Sequence, residues 1–307
     1  MSVIGIDTSN YTTSIAFFDG NSGINCSKLL PVKQGELGLR QSDAVFAQIK
    51  SLPELSGRLF SNVQAGGITA VGVSTRPRAV EGSYMPCFMV GYSHAKLLAD
   101  TLHVPLVEVS HQQGHIAASA WSAGHLELLS QPHLAWHLSG GTTELLLVEP
   151  LGANVHCTKI GGTTDISAGQ LIDRTGQLLG LAFPSGKHLD ALSCEACSDA
   201  LFKVKCQNMS FSLSGVQNKV QQYHAQNGRA ADTAAYALRC VSFAVFQATQ
   251  QALASYPGLR VVFSGGVASN SMLRQVLAPL DPVFAQPQFS TDNAMGVAVL
   301  AHRAMEG

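Results

Sequence analysis

Apolar positions along this chain follow two rhythms. Short strand-like runs at residues 3–6, 14–18, 104–109, 134–138, 144–148 and 259–263 are bounded by turn residues and predict β-strands. Longer stretches with apolar residues three or four apart predict helices at 83–102, 167–181, 230–255 and 294–305. The last helix follows Ser290-Thr291-Asp292-Asn293, a sequence suited to capping its first turn. No low-complexity linker interrupts the pattern, which predicts two closely apposed domains with a cleft between them.

Three of the strands leave into polar turns. Asp7-Thr8-Ser9-Asn10-Tyr11-Thr12-Thr13 joins the first hairpin, and Ser139-Gly140-Gly141-Thr142-Thr143 joins a second one about 130 residues later. That recurrence predicts a duplicated architecture rather than a single dinucleotide-binding sheet. The third turn, Ser264-Gly265-Gly266-Val267-Ala268-Ser269-Asn270, connects a strand to a helix starting at Ser271. Glycine admits close backbone approach and a helix start favours anions, so this pattern suits a nucleotide.

Composition narrows the class. The 307 residues are 46% hydrophobic and 13% charged, ample for a large core and unlike a disordered chain. Formal net charge is −1, from 19 basic and 20 acidic residues. An RNA substrate would therefore need a local basic patch or a partner protein to supply positive surface. No apolar run reaches the ~18 residues of a membrane span, and Asp7 interrupts the first apolar stretch, so neither a membrane protein nor a signal peptide is expected. Seven scattered cysteines suit a reducing cytoplasm better than a disulfide framework. Cys194 and Cys197, one C-x-x-C inside a helix-like stretch, read as structural thiols.

The chemistry concentrates in Ser110-His111-Gln112-Gln113-Gly114-His115. Ser110 is a good N-cap, and on a helix two histidines four apart project from one face. Two neutral imidazoles there can hold one metal ion and leave coordination positions open; equally, they can be two unrelated histidines. A zinc peptidase of the His-Glu-x-x-His type needs a glutamate directly after the first histidine, and Gln112 cannot act as a base.

Eight segments in order carry a resemblance. They are Gly5-Ile6-Asp7-Thr8-Ser9, His111-x-x-Gly114-His115, Ser139-Gly140-Gly141-Thr142-Thr143, Asp165-Ile166-Ser167-Ala168-Gly169, Asp173-Arg174, Phe211-Ser212-x-Ser214-Gly215, Ser264-Gly265-Gly266-Val267-Ala268-x-Asn270 and Thr291-Asp292-Asn293. Over nearly its whole length the chain resembles the threonylcarbamoyltransferase family (TsaD/Gcp, formerly O-sialoglycoprotein endopeptidases), as a divergent bacterial paralogue. The resemblance implies an α/β, actin-like ATPase (ASKHA) fold: two RNase-H-like lobes around a nucleotide and metal cleft. The expected division is residues 1–110 plus 291–307 for one lobe and 111–290 for the other. The resemblance also implies one divalent metal, iron or zinc, on His111, His115 and Asp292. By the same carry-over, the backbone of Leu138, Ser139, Gly140, Gly141 and Thr142 lines a nucleotide and acyl-adenylate site. Asp173, Gly186, Asp190 and Asn270 hold ribose and base. The implied reaction is transfer of a threonylcarbamoyl group from threonylcarbamoyl-adenylate to the exocyclic amine of an anticodon-adjacent adenosine in tRNA, in the cytoplasm. tRNA would be engaged through a multiprotein complex with the pathway's partner proteins.

The chain departs from the family pattern at several points. Asn10-Tyr11-Thr12 stands where bacterial members carry Cys-Asp-Glu, leaving Asp7 as the candidate catalytic carboxylate. Gln113 stands for the usual glutamate between the histidines and removes a charge expected beside the metal. Arg76-Pro77-Arg78 stands for Gly-Pro-Gly, exchanging backbone access for two anion-binding guanidiniums or for a solvated loop. Gln217 replaces a lysine, with Lys219 two residues on. These changes leave two alternatives open beside the family reaction: a metal-dependent carbamoyl or acyl transfer to another acceptor, and a partner-binding scaffold.

Overall fold

The computed structural model describes residues 1–31, 39–63 and 66–306. The chain begins with β1 (Ser2–Thr8), β2 (Thr12–Phe18), β3 (Gly23–Leu29), α1 (Gln41–Phe60), β4 (Ile68–Arg76), α2 (Phe88–Leu102), β5 (Leu106–Ser110) and α3 (His111–Ser122). Next come β6 (His133–Leu138), β7 (Thr143–Leu151), β8 (Asn154–Thr163), α4 (Ala168–Leu178) and α5 (Gly186–Ser193). β9 (Cys206–Gln207), β10 (Ser210–Phe211), α6 (Ser214–Asn227), α7 (Ala230–Ser255), β11 (Val261–Ser264), α8 (Ser271–Leu277), β12 (Val283–Phe284) and α9 (Met295–Glu306) complete it.

Two compact units result: Met1–Gln131 with Glu149–Cys157 and Asp292–Gly307, and Pro132–Val148 with Thr158–Thr291. The boundary expected after residue 110 falls instead after Gln131. The reason is α3: it packs along α9, and its His111 meets Asp7 on β1. The 149–157 segment joins the same unit through Gln113 Nε2 donating to the Val155 carbonyl at 2.7 Å and Arg303 Nε donating to that of Ala153 at 3.1 Å.

The first unit is built on a five-stranded sheet in the order β3-β2-β1-β4-β5. β1 pairs antiparallel with β2 and parallel with β4. A strand in that central position is covered on both faces, which is why residues 3–8 are all buried and residues 3–6 read as a continuous apolar run. The second unit has a seven-stranded sheet, β12-β11-β6-β7-β8-β10-β9. Its first five positions, read from β8 to β12, repeat the order of the first sheet. The β6/β7 hairpin is antiparallel, and β11 runs parallel to both β6 and β12. The two recurring hairpins thus mark a duplicated sheet plan. In the second unit α7 is the central core helix, buried along most of its length, and its Thr249 Oγ1 accepts from Trp136 Nε1 at 2.9 Å.

Most predicted elements match, with informative shifts. α2 starts at Phe88 instead of residue 83, because Pro86 has no N–H to donate and disfavours helical geometry at Met85. α5 ends at Ser193, so the cysteine pair lies outside a helix: Cys194 and Cys197 are exposed in the segment that follows it. Among the described residues no helix is long and apolar enough to cross a membrane.

Candidate metal and nucleotide sites

β5 runs into α3 without a loop. Ser110 ends the strand and caps the helix: its Oγ accepts from the Gln113 N–H at 3.2 Å, while Gln113 Oε1 accepts from the Ser110 N–H at 2.7 Å. This reciprocal capping box fixes the first turn and therefore the direction of His111. Gln113 is consequently buried in the cap and does not border the histidines' donor atoms. Its amide N–H₂ also holds Val155, which a glutamate carboxylate could not do.

One turn apart on α3, the imidazoles converge. His111 Nε2 and His115 Nε2 are 3.0 Å apart, and Asp292 Oδ1 lies 3.2 Å from His115 Nε2 and 3.5 Å from His111 Nε2. Donors around a tetrahedral ion with bonds of about 2.0–2.1 Å stand roughly 3.3–3.4 Å apart, so this triangle has the size of one face of such a site. Among the described residues it is the one group of three metal-ligating side chains that comes together this way.

Two further side chains hold the triangle. Asp7 Oδ2 lies 2.7 Å from His111 Nδ1, and Ser9 Oγ donates to Asp292 Oδ2 at 2.9 Å. A carboxylate on Nδ1 keeps the proton there and turns the Nε2 lone pair toward the site, the usual support for a metal-binding histidine. Asp7 was expected as a catalytic carboxylate. At 1% exposure it lies behind the imidazole, on the side of His111 away from the Nε2 donors. Its Oδ1 is buried without a hydrogen-bond partner. Asn10, the first residue of the divergent Asn10-Tyr11-Thr12 segment, accepts from Gln41 Nε2 and takes no part in the cluster.

The cluster's charge also fits a cation. Two carboxylates facing two neutral imidazoles leave two negative charges in a largely buried place. Burial disfavours a charged His111, yet Asp7 and Asp292 outweigh it and hold the imidazole well above the usual histidine range. Burial likewise raises the Asp292 carboxyl, but hydrogen bonds from His111 and His115 hold it well below the carboxylate range. Without metal a proton takes the place of the cation. Metal binding must expel that proton, so apparent metal affinity is expected to fall about tenfold per pH unit on acidification, beginning above pH ~6.5. In metal-free protein the His111 contribution to stability runs the other way: full below the unfolded-state pKa, lost as pH rises through the raised one. Competition with a chromophoric chelator across pH checks the first effect; an onset at or below pH ~6 would contradict it.

Asp7→Asn tests the supporting shell. Losing the carboxylate behind a ligand histidine weakens metal binding by about 10–100-fold in comparable sites. The same chelator titration reads it, and unchanged affinity would remove Asp7 from the site.

Asp292 arrives by way of α9. In isolation Asp292 reads as a helix cap, but Asn293 Oδ1 takes the Met295 N–H at 3.0 Å, freeing Asp292 for the histidines. α9 lies unusually close to its neighbours. A Cβ on Gly296 would come 1.7 Å from the Gly114 carbonyl oxygen, and one on Gly5 would come 2.6 Å from the Ala294 oxygen. Glycines on β1, α3 and α9 therefore let α9 press between sheet and helix. Sequence reasoning did not single out Gly296 or Ser9. An isolated glycine inside a helical pattern was the available signal for Gly296.

The second unit carries a cavity of about 410 Å³ lined by Gly140, Asp173, Gly186, Asp190 and Asn270, together with Gly169, Ile172, Pro184, Lys187, Gly266, Val267 and Ser269. Five of the nine nucleotide-site candidates thus come together. Leu138 is wholly buried, and Ser139 and Thr142 are tied to each other across the turn, with Ser139 N–H donating to the Thr142 carbonyl at 2.8 Å. Gly140 and Gly141 form the exposed tip. Asp173 Oδ1 accepts from the Ser185 N–H at 2.8 Å; burial raises its carboxyl pKa against that bond. The ion pair with Arg174 does not form, since Arg174 donates to Gln217 at 2.6 Å. Asp190 accepts from the Ser271 N–H at 3.0 Å and its hydroxyl at 2.7 Å, and Asn270 Oδ1 caps α8. Both thus build the cavity wall as well as line it. Lys187, a cation on that wall, carried no sequence signal.

The repeated sheet plan is that of actin-like ATPases. Full-length HypF in its phosphate- and nucleotide-bound form matches with a TM-score of 0.62 at 15% identity, over 100% of this chain and 56% of that one. A ROK family glucokinase from Streptomyces griseus, in complex with glucose and AMPPNP, matches with a TM-score of 0.55 at 10% identity, over 99% and 100% of the two chains. The chain therefore has the actin-like two-unit α/β fold shared by these structures. The profile of the family described as "TsaD: tRNA N6-adenosine threonylcarbamoyltransferase" matches residues 50–299, and the chain belongs to that family. A relative of that name from Geotalea uraniireducens is 31% identical over 269 residues, 82% of this chain and 76% of its own.

Proposed function

We propose that this chain transfers a threonylcarbamoyl group from threonylcarbamoyl-adenylate to the exocyclic amine of an anticodon-adjacent adenosine in tRNA. The observation that carries the reading is the convergence of His111, His115 and Asp292 within the segment matched by the family. The chemistry is acyl transfer. The amine nitrogen bonds to the carbamoyl carbon, the bond from that carbon to the phosphate oxygen breaks, AMP leaves, and the amine loses a proton.

His111, His115 and Asp292 would hold one divalent metal, iron or zinc. When bound, the metal supplies Lewis-acid stabilisation of negative charge. The chain's own residues do the rest. Asp7 holds the proton on His111 Nδ1, and Ser9 fixes the Asp292 carboxylate. In the second unit, Ile172, Pro184 and Val267 give the nucleotide base an apolar wall, and Asp173 has a second carboxylate oxygen for a ribose hydroxyl. The main chain at Leu138, Ser139, Gly140, Gly141 and Thr142 receives the phosphate end. Gly186 leaves room, and Asp190 and Asn270 position the wall. The work is cytoplasmic and shared with the pathway's partner proteins, which supply the positive surface that a net charge of −1 lacks.

The test is complementation. The chain, with the partner proteins of its own source, is expressed in cells depleted of their own enzyme, and the modified adenosine in tRNA is measured by mass spectrometry. Restored modification is the expected result; its absence would overturn the reading.

A further inference from the structure

α1 buries a face made of Ala44, Gln48, Ser51, Leu52, Leu55 and Leu59. Two of these residues are polar. Ser51 returns its hydroxyl to the Ala47 carbonyl of its own helix at 2.9 Å. Gln48, 0% exposed, reaches off the helix: its Nε2 donates to the Ser9 carbonyl at 2.7 Å, in the turn between β1 and β2. Only the amide nitrogen can donate to a carbonyl, so this bond fixes which end of the side chain faces Ser9. The other end, Oε1, is buried with no hydrogen-bond partner among the described residues. An unsatisfied buried oxygen costs as much as one amide hydrogen bond contributes, or more. Gln48 therefore adds no net stability over an apolar side chain of its size, and its use lies in what the bond holds.

The Ser9 hydroxyl has two acceptors within reach, Asp292 Oδ2 at 2.9 Å and the Thr12 carbonyl at 3.5 Å. The position of the Ser9 backbone decides between them, and Gln48 pins that backbone. With Oδ2 held by Ser9, the other oxygen of Asp292, Oδ1, faces His111 and His115. If the turn relaxes, the hydroxyl can swing to Thr12 and the carboxylate is free to rotate. We infer that Gln48 is a positioning residue for the His111, His115, Asp292 site, acting through Ser9 from a helix that supplies none of the three. The inference rests on the proposal that those three residues hold a divalent metal.

The test uses the full chain, stripped of metal, with Gln48→Met, Ser9→Ala and the two combined. Zinc affinity is measured by competition with a chromophoric chelator, and stability by urea unfolding with chelator present. Ser9→Ala removes the donor to a ligand carboxylate and is expected to weaken zinc binding about tenfold or more. Gln48→Met is expected to weaken it about three- to tenfold, the worth of one hydrogen bond, while the metal-free urea midpoint holds or rises. The double variant should bind no more weakly than Ser9→Ala alone, because both changes act on one contact. A residue that serves only the fold would lower the midpoint and leave the affinity intact. Affinity within about twofold of wild type in Gln48→Met, or losses that multiply in the double variant, would overturn the relay. A midpoint that falls together with the affinity would make Gln48 a fold residue and overturn it as well. If His115→Ala loses zinc in the same assay, the metal reading survives either result. A wild-type chain that binds zinc no better than His115→Ala removes the metal reading and the relay together.

Discussion

Gly296→Ala is expected to disrupt the proposed metal site and to cost the protein much of its stability. The added Cβ would lie 1.7 Å from the Gly114 carbonyl oxygen and 2.6 Å from the Ala118 nitrogen, both backbone atoms of α3 that cannot rotate away. Only separation of α9 from α3 relieves this. Overpacking of a tight core typically costs 1–3 kcal/mol, and a clash between two helix backbones belongs at or beyond the top of that range, about 3 kcal/mol. The same separation carries Asp292 away from His111 and His115, because Asp292 enters the site on the residues that lead directly into α9. Gly57→Ala is the control. That glycine lies in α1 with nothing within 4 Å of an added Cβ, and there alanine's better helix propensity should stabilise by about 0.5–1 kcal/mol. Urea unfolding and metal analysis of the two variants decide the matter. Equal stability and metal content in both would show that α9 does not set the site.

His115→Ala should abolish stoichiometric metal. Two donors remain of three, and loss of a direct ligand must exceed the 10–100-fold effect of losing a group behind one, so affinity should fall by more than about 100-fold. Loss of a Lewis acid worth several kcal/mol should lower the transfer rate by about 100-fold or more. His115 is buried, so the truncation also leaves a cavity; Asp292→Asn, which keeps its volume and loses only charge, separates the two effects. Metal per chain, by plasma emission spectrometry after dialysis, is the readout. Wild-type metal content in both variants would remove these residues as ligands.

The candidate metal site was legible to different depths. Ser110 as a cap and two histidines one turn apart are local facts of an amphipathic helix start, and local rules found them. Asp292 looked like a helix cap, and family resemblance was needed to promote it; the structure shows Asn293 doing the capping. Gln113 was misread because sequence spacing put it between the histidines, whereas the helix turns it 180–200° or so away from a shared face and into the cap. Asp7 was found as a carboxylate at a strand end, but its role depends on what stands in front of it. For the candidate nucleotide cavity, Gly140 and Asn270 announced themselves through turn chemistry and Gly186 only through the family resemblance, while Lys187 and Ile172 had no signal, being ordinary helix residues until the elements around them are assembled.

What this sequence determined by itself is the set of elements, the repeated hairpin plan, and the histidine pair with its cap. Each of these follows from interactions spanning a few residues: capping bonds, turn conformations, the alternation that buries one face. What only the tertiary structure decided is which of those residues meet. Asp7 and His111 are separated by 104 positions, and His115 and Asp292 by 177, and nothing local fixes such distances. They are fixed by the absence of side chains at Gly5, Gly114 and Gly296, where backbones approach closely enough to bring a strand end, a helix start and the approach to a second helix around a single point.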